Sequence, residues 1–163
     1  MIVPRSLFGM AVVDGKIFAL GGRGGYGTPQ LLDSVESFSW DKGWQIEERL
    51  KLPEGLHGHC SVSIGNSDLY FIGGNVNDCA KATCGPTSEV KMINFSTTSP
   101  LNGSLPTWET LPAMKTPRWK HACAVAEFEG QEGILVSGVG LNDYYKLMFQ
   151  LDKRNNSVAL LQS

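Results

Sequence analysis

Two stretches of the chain carry residue types at spacings that could do chemistry. In "IFALGGRGGYG" (17–27) an apolar run ends in glycines, and Gly22, Gly24 and Gly27 fit G-x-G-x-x-G. Such a loop lets backbone amides approach a pyrophosphate, and Asp41 lies about where a ribose-binding acid would be wanted. In "HGHC" (57–60), His57, His59 and Cys60 form the densest cluster of metal-ligating side chains. On a strand His57 and His59 share a face and Cys60 takes the other, an awkward set for one ion. No G-x-S-x-G, H-E-x-x-H or P-loop string is present.

The elements that would hold these residues settle the first reading. "GKIFALGG" (15–22) recurs as "SDLYFIGG" (67–74) and, degraded, as "EGILVSGV" (132–139). Upstream of each stands another apolar run, "FGMAVV" (8–13), "GHCSVSI" (58–64) and "KHACAVA" (120–126). Downstream come "DSVESFSW" (33–40), "SEVKMINF" (88–95) and "YKLMFQLD" (145–152), with Trp44 and Trp108 following in two copies. The entry segments recur too, Met1 to Arg5 matching Met114 to Arg118. A period of this size marks a repeat architecture. The second copy lacks the glycine fingerprint, and Asp14-Gly15 between two short apolar runs is a hairpin signal. The glycines are therefore structural, and the nucleotide reading falls.

Each unit reads as four short strands, a to d, apolar on both faces. Such sheets must be covered on both sides, which stacking like units around an axis achieves. Paired glycines closing strand b would let a bulky ring lie against the backbone, with Trp44 and Trp108 as the candidate rings. The 163 residues, 42% hydrophobic and 18% charged with net charge −2, suit a globular chain. They give no electrostatic case for nucleic acid or membrane, and no apolar run reaches the ~20 residues of a spanning helix.

These features resemble the kelch repeat, in which a strand closed by a double glycine is followed by an aromatic and a tryptophan. Gly21, Gly22, Phe38 and Trp44 match it in the first unit, and Gly73, Gly74, Phe95 and Trp108 in the second. The third keeps only Gly138 of the pair. The resemblance implies an all-β, kelch-type β-propeller of about three four-stranded antiparallel blades, at 1–53, 54–112 and 113–163. Propellers have 4–8 blades, so the expectation is a partial ring belonging to a longer propeller, whose remaining blades would be its neighbours.

Function follows from the loops. Successive strands alternate in direction, so the b–c and d–a connections share one rim, and these are the long ones. The residues expected to contact a partner there are Arg5, Arg23, Tyr26, Asn75, Asn77, Asp78, Arg118, Trp119, Asn142 and Tyr144. The resemblance implies a scaffold binding a protein or peptide, and because the residues carry no catalytic or metal signature the expectation is a non-enzymatic one, with no cofactor, metal or catalytic residue. The alternative is a propeller enzyme or sugar binder related to galactose oxidase, with active residues partly in other blades. Cys60 and Cys123 occupy roughly corresponding repeat positions and read as small packing residues. Cys79 and Cys84 share one loop and could close a small disulfide ring. Asn94, Asn102 and Asn155 begin acceptor sequons for glycosylation. Sequons and loop cysteines point to a secreted or extracellular setting. Unpaired Cys60 and Cys123 and the lack of a signal-peptide core fit the cytoplasm as well.

Overall fold

The computed structural model describes residues 1–24, 30–76, 85–97, 106–128, 131–139, 144–152 and 157–161. Among them are three four-stranded antiparallel meanders and no α-helix. The first blade is β1 (Gly9–Val13), β2 (Lys16–Leu20), β3 (Val35–Ser39) and β4 (Gly43–Ile46), in that spatial order. The second is β5 (Cys60–Ile64), β6 (Asp68–Ile72), β7 (Val90–Asn94) and β8 (Glu109–Leu111). The third is β9 (Ala122–Phe128), β10 (Gln131–Val139), β11 (Tyr144–Asp152) and β12 (Ser157–Leu161). These are four-stranded blades of propeller type, and among the described residues no sheet closes into a barrel.

Strand alternation explains why the b strand of the middle blade is apolar from Leu69 to Ile72. Successive side chains point to opposite faces. In β6, Leu69 and Phe71 join a core with Phe18 and Leu20 of the first blade. Tyr70 and Ile72 of the same strand join a second core with Ile134 and Val136 of the third blade. β6 thus feeds two seams, and a polar residue in either set would lie between packed sheets. Burial pushes the Tyr70 phenol above its usual range, with the charges of Asp68, Glu109 and Glu132 adding to the effect.

The double glycine has a different neighbour from the one expected. A Cβ on Gly73 (φ +58°) would lie 2.6 Å from the Arg118 carbonyl oxygen, and one on Gly21 (φ +54°) 2.7 Å from that of Leu56. The space is needed by the backbone that enters the following blade, not by an indole. The positive φ values independently favour glycine. Trp108 instead packs edge-on to Phe71, 5.0 Å between centroids, and its Nε1–H donates to the carbonyls of Leu50 (3.3 Å) and Lys51 (3.1 Å). Trp44 pairs with Phe38 across β3 and β4, their rings 5.4 Å apart. Phe95 lies beyond β7 in a 3-10 turn, 5.2 Å from the Phe18 ring, and Ile93 takes the register that Phe38 holds in the first blade.

The cysteine expectation is also corrected. Cys60 and Cys123 are joined by a disulfide that crosses the second seam. They are bonded partners, not independent packing residues.

Candidate functional rim

In the first two blades the rim is built by pairing the entry segment with the b–c loop. Arg5–Ser6 pairs with Arg23–Gly24, which pairs with Gln30–Leu31. In the second blade His57 bridges Asn75, with His57 N–H donating to the Asn75 carbonyl at 3.2 Å and Asn75 N–H returning at 2.8 Å. Ser6, His57 and Trp119 thus occupy matching places in successive entry segments.

One residue further on, the chain turns through a left-handed conformation in all three segments, at Leu7 (φ 54°), Gly58 (φ 64°) and Lys120 (φ 52°). The turn aims backbone groups at neighbouring blades. Gly58 N–H donates to the Leu7 carbonyl (2.7 Å) and Lys120 N–H to the Gly58 carbonyl (2.6 Å). A chain of hydrogen bonds therefore links the three entry segments. Positive φ in Leu7 and Lys120 costs about 1–2 kcal/mol each, so the tertiary contacts must outweigh that strain.

Two arginines expected on the rim surface are inside it. The Arg5 guanidinium donates to the carbonyls of Gly21 (2.8 Å) and Ser34 (2.9 Å) and to Glu36 Oε1 (2.6 Å), and both side chains of this ion pair are fully buried. Glu36 also accepts the N–H groups of Ile2 (2.6 Å) and Val3 (3.0 Å). Burial opposes ionisation of Glu36, but those amides and Arg5 outweigh it and hold the carboxyl below its ordinary range. Arg118 is 1% exposed and donates to the Gly138 carbonyl at 2.7 Å. Both guanidiniums thus reach inward to backbone carbonyls at or near the end of a b strand.

What remains outside is a small basic and aromatic patch. Arg23 and Lys120 are exposed, and Trp119 is partly so. The Lys120 ammonium lies 4.3 Å over the Trp119 ring, whose centroid is 5.9 Å from that of the steeply tilted His57 ring. His57 is buried, which lowers its pKa. The Asn75 carbonyl works against that shift, and the charges of Arg23 and Lys120 deepen it. His57 is thus held neutral between two cations. Asn75 is itself buried. Lys120 escaped the sequence reading, although its place beside Trp119 was the available signal.

Deeper in the seams lie two further imidazoles. His59 Nε2 accepts the Gly9 N–H at 3.2 Å across the first seam. Burial, with the charges of His121 and His57, pushes its pKa down to about 3. His121 is pushed to about 4 by burial and by Arg118. Among the described residues no group of three His, Cys, Asp or Glu side chains could hold a metal ion.

Tyr26, Asn77, Asp78 and Asn142 lie outside the described residues, as do Cys79, Cys84, Asn102 and Asn155. Tyr144 opens β11, opposite Val139. Asn94 ends β7 with Nδ2 donating to Asp68 (2.6 Å) and Oδ1 accepting from Ser96 N–H (2.8 Å). Its amide is engaged at both ends in the fold.

A family model described as the Kelch motif matches residues 4–41, from the entry segment of the first blade through β3. The chain carries kelch repeats. Over 140 residues it is 36% identical to Kelch-like protein 41a and 31% identical to Kelch-like protein 41b, both of Danio rerio. Each alignment covers 86% of this chain and 20% of the relative, so the kelch repeats here span about a fifth of those proteins. Among the described residues no helix is long and apolar enough to cross a membrane.

Proposed function

We propose that this kelch-repeat scaffold binds a protein partner, without catalysing a reaction, through the rim of entry segments and b–c loops. The observation that carries the reading is the convergence of Arg23, Trp119 and Lys120 around the neutral His57. No carboxylate pairs with either cation among the described residues. Exposed cations beside an aromatic ring, on rigid backbone, suit an acidic segment of a partner. The kelch-like relatives support a scaffold role. Arg5 and Arg118 serve by positioning the rim from below. Tyr26, Asn77, Asp78, Asn142 and Tyr144 stay in the proposed contact surface, and Asn75 supports it by holding His57 through its backbone. A remaining-blade context and an extracellular or cytoplasmic setting are compatible with it.

Affinity capture with the full-length protein tests the reading. A partner retained by the parent, and lost when Arg23→Glu and Lys120→Glu are combined, would support it. Retention by the doubly reversed variant would overturn it.

A further inference from the structure

The two seams offer an internal comparison. In strand register Gly9 opposes Leu20 as Cys60 opposes Ile72, so Gly9 and Cys60 are equivalent. Across the first seam a Cβ on Gly9 would run into the Ser61 hydroxyl. Those two residues stand as close neighbours and share no bond. The matching contact across the second seam is Cys60 with Cys123, and there a disulfide forms, with Cα atoms 5.9 Å apart. Blade stacking therefore does not require the bond. It is an addition at one seam.

Its position matters for the rim. Cys60 follows His57 by three residues and Cys123 follows Lys120 by three. These are the entry segments joined by the Lys120 N–H to the Gly58 carbonyl and by the Trp119 contact with His57. Both cysteines are partly exposed, within reach of a small thiol.

We propose that Cys60 and Cys123 form a thiol–disulfide switch that clamps the second and third entry segments when oxidised and loosens them when reduced. Glutathione disulfide is the oxidant class and glutathione the reductant. One cysteine thiolate attacks the glutathione disulfide, expelling a glutathione thiolate and leaving a mixed disulfide. The second thiolate attacks the protein sulfur of that bond and expels another glutathione thiolate. Two protein thiols and one glutathione disulfide thus become one protein disulfide and two glutathiones, and excess glutathione reverses both steps.

The intact chain is equilibrated over a series of glutathione to glutathione-disulfide ratios, then alkylated to count free thiols, with amide hydrogen exchange read on the same samples. The bonded fraction should fall across the series, and exchange at Lys120 N–H should quicken in step by about fivefold or more. The Gly22 N–H, bonded to Leu56 across the first seam, should stay unchanged. Cys123→Ala should show the fast rate at every ratio. A bond that persists, or never forms, across the whole series would overturn the switch. So would an exchange rate at Lys120 that ignores the bonded fraction.

Discussion

Gly74 N–H donates to the carbonyl of Arg118 at 2.7 Å, and Gly22 N–H makes the same bond to Leu56, also at 2.7 Å. The second glycine of each pair is thus the docking point for the backbone entering the next blade. The first glycine, with its positive φ, clears the space.

Gly73→Val follows directly from this geometry. The added side chain meets the Arg118 carbonyl and the Met114 side chain in a backbone conformation unfavourable to β-branched residues. A loss of ~3 kcal/mol or more is expected in denaturant melts, combining overpacking with strain. Gly43→Ala is the contrast, with positive φ but open space around the site. It should cost only ~1 kcal/mol. Equal losses would show that close approach is not what the pair provides.

Trp108→Ala should destabilise by roughly 2–4 kcal/mol, since it removes the Phe71 contact and leaves two carbonyls to water. Trp40, 92% exposed, supplies the control, and its replacement by Ala should stay within ~0.5 kcal/mol. A melt in which the two variants behave alike would remove Trp108 from the seam.

The buried Arg5–Glu36 pair predicts an asymmetry. Arg5→Ala leaves a buried carboxylate with only backbone donors and should cost ~3–5 kcal/mol. Arg5→Ala with Glu36→Gln should cost less than Arg5→Ala alone, because the stranded charge is gone. Chemical denaturation of both variants measures the difference. A double variant weaker than the single would place the energy in hydrogen bonds, not charge.

How much of this was legible depended on whether the deciding contact was local. Blade count, strand order and the Asp14-Gly15 hairpin lie in spacing and turn residues. The partner of Gly73 does not, since residues 73 and 118 meet only after the next blade stacks. The inward turn of Arg5 and Arg118 carried a faint signal. Their shared place after Pro4 and Pro117 marks a structural device, whereas a contact residue has no reason to recur. The cysteines turn on a single residue. Cys60 directly follows His59, but Cys123 follows His121 after Ala122, and that offset reverses the face. Equivalent positions on stacked blades face the same way and cannot meet. Offset positions can.

The buried imidazoles predict acid sensitivity. His59 and His121 have folded pKa values of about 3 and about 4, below the unfolded value of ~6.5. Between those limits the unfolded chain binds more protons, so stability is complete above pH ~6.5 and falls as pH drops. Each imidazole contributes a slope of up to roughly 1.4 kcal/mol per pH unit. Glu36 adds a loss of the same sign only at lower pH, as it falls through that carboxyl's depressed pKa. His121→Phe, copying Phe8 of the first blade, should flatten the profile between pH ~4 and ~6.5. An unchanged slope in urea melts would mean that His121 titrates normally.

The rim itself separates recognition from support. Arg23→Ala and Lys120→Ala remove exposed cations that no strand needs, and each should leave the melting temperature nearly unchanged. At least one should weaken capture of the partner by ~2 kcal/mol, the size of an interface hot spot. Arg118→Ala acts otherwise. It strips a buried donor from the Gly138 carbonyl, so stability and binding should fall together. On the opposite rim Asp14 N–H donates to the Asn66 side chain at 3.0 Å, tying two hairpin tips, and both residues are exposed. Asn66→Ala should loosen that tie with no effect on capture. The four variants, measured in the full-length protein by melting and by titration with the captured partner, place the contact surface. Binding lost only with Asn66→Ala would move it to the hairpin rim. Binding lost in every variant, in proportion to stability, would leave neither rim as a recognition surface.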